Sequence, residues 1–192
     1  MRRSALRTAL AAFIAIGCVA LTAPASAQSL VRYRNADKSN GTFFLGVSGG
    51  GCCSPVDCGL KNGQSIITYQ LGESDQQWWS TTNGPLYNLN DNVTIDALMC
   101  LGVAGGRLDE GIPLVIWQCN GADDQSWKVV SASTLNAPFP NCFAFFNNKS
   151  GMVAGVSGGK VQNGTKVIQW PFFYGTPGNI AGWHPDQFWC PQ

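Results

Sequence analysis

One pattern occurs three times in this chain, in the same order each time. Leu45-Gly-Val-Ser-Gly-Gly50 returns as Leu101-Gly-Val-Ala-Gly-Gly106 and again as Ala154-Gly-Val-Ser-Gly-Gly159. A second box follows each, with an aromatic six residues after a glycine: Gly63 and Tyr69, Gly111 and Trp117, Gly164 and Trp170. A third box closes each copy as Asp-Gln-x-Trp, at Asp75 to Trp78, Asp124 to Trp127 and Asp186 to Trp189. One copy is too short to bury its own apolar face. Three copies packed around a common axis can do so.

The local chemistry of the boxes is that of strands. The second boxes are short runs rich in Ile, Val, Tyr and Trp, which suit a pleated, half-buried surface. The Gly-Gly pairs and the steps Asn62-Gly63 and Asn163-Gly164 suit tight turns that need positive φ. No long stretch carries a capped 3.6-residue apolar stripe. Each copy therefore reads as about four strands, and the chain as an all-β fold of three pseudo-symmetric four-stranded repeats, at about 30–82, 83–131 and 132–192. The spacing marks two insertions. Gly102 to Gly111 and Gly155 to Gly164 are both nine residues, but Gly46 to Gly63 is seventeen, so copy one carries an extra loop holding Cys52, Cys53 and Cys58. Copy three carries the other, Pro171 to His184, before Asp186.

Residues 1–27 read as a secretory signal peptide. Arg2, Arg3 and Arg7 precede an apolar run from Ala9 to Leu21, and Ala25-Ser26-Ala27 is a small-x-small cleavage site before Gln28. Gly17-Cys18 offers a lipoprotein alternative. The expected mature domain is 28–192, secreted, with no transmembrane segment. It retains nine basic and eleven acidic residues without a basic run, which argues against nucleic acid as a partner. Seven cysteines remain in an oxidising compartment, so disulfides are expected. Cys142 and Cys190 stand near the two ends of copy three, placed to pair. Cys58 is expected to pair with Cys53 or Cys52. An odd count leaves one thiol free or paired between chains. A zinc site at Cys52, Cys53 and Cys58 lacks a fourth ligand and a nearby histidine, so no metal or cofactor is expected.

The three boxes resemble the ricin B-type lectin family, whose fold is the β-trefoil. The resemblance runs from roughly Leu30 to Cys190 and rests on the thrice-repeated Gln-x-Trp at Gln76, Gln125 and Gln187. It implies a Cys100–Cys119 disulfide. It also implies a shallow sugar pocket in each copy, built on an aspartate just after the Cys-Leu position, a glutamine, a stacking aromatic and an asparagine before Gln-x-Trp. The aspartate position here holds Gly46, Gly102 and Gly155, and the glutamine position Ile67, Val115 and Ile168. The aromatic survives as Tyr69, Trp117 and Trp170. The asparagine position holds Asp75, Asp124 and Asp186. These six are the candidate ligand-binding residues, by ring stacking and charge-assisted hydrogen bonds.

Each candidate has a structural alternative. Trp78, Trp127 and Trp189 read as core. Asp75, Asp124 and Asp186 have a turn role open to them, accepting backbone N–H groups ahead of a strand. In the second insertion, Phe172, Phe173, Tyr174 and Trp183 form either an exposed partner patch or a loop folded over one end of the barrel. Catalysis is not expected: His184 is the only histidine, and no nucleophile elbow is present. The leading expectation is a secreted lectin-like domain that binds carbohydrate or glycoconjugates through altered pockets. The rival is a protein-interaction subunit of a secreted complex or toxin; the lectin-like cell-binding subunits of cytolethal distending toxins are of this type.

Overall fold

The computed structural model describes residues 30–50, 59–71, 74–88, 98–177 and 179–192. The expected signal peptide and the cysteines at 52, 53 and 58 lie outside these. Among the described residues there are twelve strands and no α-helix. The strands are β1 Tyr33–Asn35, β2 Phe44–Val47, β3 Ile66–Tyr69, β4 Trp78–Ser80, β5 Asn83–Asn88, β6 Met99–Val103, β7 Leu114–Gln118, β8 Ser126–Ser131, β9 Phe143–Asn147, β10 Val153–Val156, β11 Thr165–Trp170 and β12 Trp189–Pro191. No described helix is long and apolar enough to cross a membrane.

All twelve strands join one barrel-like antiparallel sheet, in which the first strand pairs with the last: Arg34 stands opposite Cys190. Box one and box two of each copy pair as a hairpin, β2 with β3, β6 with β7 and β10 with β11. Their register sets Gly46 opposite Ile67, Gly102 opposite Val115 and Gly155 opposite Ile168. The hairpins meet one another through the box-two glycines. Gly63 donates its N–H to Ile116 O, Gly111 to Gln169 O and Gly164 to Thr68 O. Positive φ at all three, 87°, 77° and 77°, explains why glycine stands there. The preceding asparagines latch two of the three joints: Gln118 N–H donates to Asn62 Oδ1 at 2.6 Å, and Gln70 N–H to Asn163 Oδ1 at 2.9 Å.

Trp78, Trp127 and Trp189 are fully buried, as the repeat implied, among Leu45, Leu101, Ile66, Ile116, Leu114 and Phe145. Each indole N–H donates to a box-one carbonyl: Trp78 to Leu45, Trp127 to Leu101 and Trp189 to Ala154, at 2.9, 2.9 and 3.0 Å. The Gln-x-Trp glutamines form a second recurring bond, Gln76 Nε2 to Gln70 O, Gln125 to Gln118 O and Gln187 to Pro171 O. A third recurring bond comes from buried asparagines. Asn88 donates to Asp75 O, Asn147 to Asp124 O and Asn35 to Asp186 O. The boxes are therefore hydrogen-bonding instructions that satisfy backbone groups which burial would otherwise leave unpaired.

Two disulfides join described residues, Cys100–Cys119 and Cys142–Cys190. The second sits in a smaller apolar cluster with Phe139, Ala144, Trp183 and Phe188. This cluster corrects part of the expected aromatic patch. Trp183 is only 6 % exposed, and Phe172 packs between Phe146 and Phe188, at ring distances of 5.1 and 5.8 Å. These two rings fold back over the barrel because an apolar cluster beside the disulfide is there to receive them. Phe173 and Tyr174 remain exposed, and Ile180 joins them at the surface.

Candidate functional site

The box-two aromatics lie at the ends of their hairpin strands, where the strand leaves the core. Trp117 is 44 % exposed and Tyr69 45 %; Trp170 is half-buried. The two indoles lean on glycines of the preceding copy. An ideal Cβ on Gly63 would lie 3.7 Å from Trp117, and one on Gly111 would lie 3.5 Å from Trp170. The missing side chains let the rings lie against the neighbouring hairpin with a face open to solvent.

Beside each indole is a hollow. The Trp117 hollow, about 380 Å³, has Gly102, Gly105 and Gly106 along its floor, with Val115, Asn120, Asp124 and Lys149 around it. The Trp170 hollow, about 550 Å³, repeats the floor as Gly155, Gly158 and Gly159, and adds Ile168, Asp186 and two insertion residues, Phe173 and His184. Gly105 and Gly158 adopt φ of 64° and 66°, which turns the chain away after box one and leaves the floor open.

The carboxylates divide by role. Asp75 is buried, and its Oδ2 accepts the Val47 N–H at 2.7 Å. Asp186 is buried, and burial holds its carboxyl above the usual range, while the nearby His184 pulls it down. His184 Nδ1 lies 3.6 Å from Asp186 Oδ1, and its ring stacks on Phe173 at 4.4 Å. Asp75 thus ties box three to box one, the turn role left open by the sequence. Asp124 is only half-buried and faces its hollow.

The glycines of box one explain how a carboxylate fits at all. A Cβ on Gly46 would lie 3.0 Å from Asp75 Oδ2, one on Gly102 3.6 Å from Asp124 Oδ2, and one on Gly155 3.6 Å from Asp186 Oδ2. Glycine at one position and aspartate at the other are a matched pair, with the carboxylate beside the space a side chain would fill. The sequence did not nominate Lys149 or Asn120. Lys149 comes from the β9–β10 turn of the next copy, and its Nζ donates to Gly106 O at 2.7 Å; no spacing within one copy signals such a contact. Among the described residues, no three His, Cys, Asp or Glu side chains gather to hold a metal ion.

The family model described as a ricin-type beta-trefoil lectin domain-like matches residues 93–170. This stretch is similar to that family. The matched stretch takes in β6 to β11 and therefore both indoles, Trp117 and Trp170. No curated protein matches the chain. Among solved structures, a designed threefold-symmetric protein, ThreeFoil, superposes with a TM-score of 0.60 at 18 % identity, over 83 % of this chain and 96 % of that one. An exo-beta-1,3-galactanase from Clostridium thermocellum gives 0.56 at 20 %, over 84 % and 30 %. A Polyporus squamosus lectin gives 0.55 at 13 %, over 86 % and 49 %. The chain spans nearly all of the designed protein but less than half of the galactanase and the lectin. At these identities the likeness shows the fold, an all-β, barrel-like architecture shared with β-trefoil proteins.

Proposed function

We propose that this protein is a secreted, non-catalytic carbohydrate-binding domain: a β-trefoil of three four-stranded repeats occupying 28–192 after removal of residues 1–27. The observation that carries the reading is Trp117, half exposed above a hollow that also presents Asp124, Asn120 and Lys149. A flat indole face covers the C–H groups of a pyranose, and polar groups at its edge take the hydroxyls. The ricin-type match over the same residues supports it. The family's aspartate and glutamine are replaced by glycine and aliphatic residues in all three copies, so the pockets grip by altered chemistry. Two disulfides in the fold suit an extracellular site of action. Screening the purified protein on a glycan array tests the reading. Binding is expected, with loss on Trp117→Ala; an array without any bound glycan contradicts it.

A second reading has its own observation. Phe173, Tyr174 and Ile180 are exposed at 41, 72 and 69 % on a segment that interrupts the repeat. Clustered apolar exposure of this kind marks protein-binding surfaces. On this reading the chain is the interaction subunit of a secreted complex, and a co-purifying partner is lost on Phe173→Ala with Tyr174→Ala.

A further inference from the structure

Five Asn-Gly steps occur in the chain, at Asn40, Asn62, Asn83, Asn120 and Asn163. Each is a latent point of deamidation, because a glycine has no Cβ to keep its amide nitrogen from the carboxamide carbon of the preceding asparagine. The local sequence makes the five alike. Their surroundings make them unequal.

Four of the steps are fastened to other parts of the chain. Gly63 donates its N–H to Ile116 O, Gly164 to Thr68 O and Gly41 to Lys38 O. Val129 N–H donates to Thr82 O, and two residues along the same register Gly84 stands opposite Trp127, in the next hydrogen-bonded pair of that ladder. The four carboxamides are held as well, each by a residue distant in sequence. Asn62 Oδ1 accepts from Gln118 N–H, Asn163 Oδ1 from Gln70 N–H and Asn83 Oδ1 from Asn148 Nδ2, while Asn40 Nδ2 donates to Val161 O.

Asn120-Gly121 differs on both counts. The two residues are exposed, in the loop that follows β7. Gly121 sits at φ 76°, with nothing within 4 Å of where a Cβ would stand. Among the described residues its N–H donates to no acceptor. The Asn120 carboxamide is held only within its own loop, where Oδ1 accepts the Ala122 N–H at 2.9 Å. That bond folds the carboxamide back along the peptide that would attack it. It also places a donor on the oxygen that gains charge during the attack. Asn120 N–H is tied to Gln125 Oε1 at 2.9 Å, which steadies the loop.

We propose that Asn120 is a self-modifying site, converted through a cyclic imide with Gly121 to aspartyl and isoaspartyl forms while the protein stays folded. The Gly121 nitrogen bonds to Asn120 Cγ, the Cγ–Nδ2 bond breaks, and ammonia leaves with the former amide proton. Water then adds to one or the other imide carbonyl carbon and opens the ring. No electrons are exchanged with any other group. Either product carries a new carboxylate at the rim of the Trp117 hollow, near Asp124. The isoaspartyl form also routes the backbone through the Cβ, between Cys119 and the Gln125 box. None of this depends on the carbohydrate reading.

The test is incubation of the purified native protein at mildly alkaline pH, with each Asn-Gly step followed by peptide mapping and mass spectrometry. Asn120 is expected to convert roughly tenfold or more faster than the other four, which must first open locally. In the reduced chain in denaturant the five rates are expected to converge. A second arm is Ala122→Pro. Ala122 has φ −70°, which proline adopts without strain, so the variant keeps the loop and removes the N–H from Asn120 Oδ1. Slower conversion at Asn120 alone is expected there. Another step converting as fast as Asn120 in the native protein overturns the site, as does an Asn120 that stays intact while the denatured chain converts. An undiminished rate in Ala122→Pro overturns the part given to the Ala122 amide.

Discussion

The indole of Trp183 lies directly against Gly175: a Cβ added to that glycine would fall 2.4 Å from the ring. Trp183 also donates its Nε1–H to Thr176 O at 3.1 Å, so the insertion is folded around its own tryptophan. Gly175→Ala should therefore displace the ring from the cluster of Phe139, Phe188 and the Cys142–Cys190 disulfide. Overpacking of this kind costs about 1–3 kcal/mol. The expected results are a lower thermal midpoint and a red-shifted tryptophan emission. An unchanged spectrum would mean the insertion does not depend on this contact.

Replacing Trp127 by phenylalanine removes the donor to Leu101 O from a fully buried site and leaves a void. The unpaired carbonyl and the lost volume together predict a loss of about 2–4 kcal/mol in chemical denaturation. Trp78→Phe and Trp189→Phe should cost similar amounts, because the same bond recurs at Leu45 and Ala154. Widely different costs would show that the three cores are not energetically alike.

The Cys142–Cys190 bridge spans 48 residues and fastens the last strand to the start of β9. Constraining a loop of that length in the unfolded chain contributes about 4 kcal/mol, against about 3 for the 19-residue Cys100–Cys119 loop. Cys142→Ser with Cys190→Ser should therefore destabilise more than Cys100→Ser with Cys119→Ser. Paired denaturation curves under non-reducing conditions check the order.

Asp186 predicts an acid-side signature. Burial raises its carboxyl above the ordinary range, so the folded chain holds that proton more tightly than the unfolded chain does. The stability it contributes is complete below the unfolded carboxylate pKa and is lost as pH rises through the higher folded value. Asp186→Asn removes the titration while keeping a side chain of the same shape. The wild type should lose stability relative to the variant as pH rises through the acid range, and the difference should then level off. Parallel stability curves would contradict the assignment.

Gly102 and Asp124 make a further pair that can be tested together. A side chain at 102 would begin 3.1 Å from Gln125 Cγ and 3.6 Å from Asp124 Oδ2. Gly102→Asp alone should cost about 1 kcal/mol from crowding and like charge, and Asp124→Asn should recover much of it. A double-mutant cycle by denaturation measures the coupling; strict additivity would separate the two positions.

The fold was legible because its signals are local and repeated. Glycines at positive φ, alternating apolar residues and the buried Gln-x-Trp positions act within a few residues of themselves, and three copies multiply the signal. The carboxylate roles were half legible: a turn function was foreseeable, but not that Asp124 would differ from Asp75 and Asp186, since that depends on burial rather than on the box. Lys149 was invisible, because it enters the Trp117 hollow from another copy and belongs to no box. Phe172 and Trp183 stood open between a surface patch and a covering loop, since an insertion's sequence does not reveal whether an apolar cluster lies beneath it.

The asparagine latches at the hairpin joints hold one more consequence. Asn62 and Asn163 each catch the amide that follows the neighbouring aromatic, at Gln118 and Gln70. After Trp170 the corresponding residue is Pro171, which has no amide proton, and Glu110 stands where the asparagine would be. That joint keeps its backbone bonds but carries no asparagine latch. The long insertion leaves the barrel there, at the one seam where extra chain breaks no such bond, and Pro171 marks the natural point at which a foreign loop can be grafted.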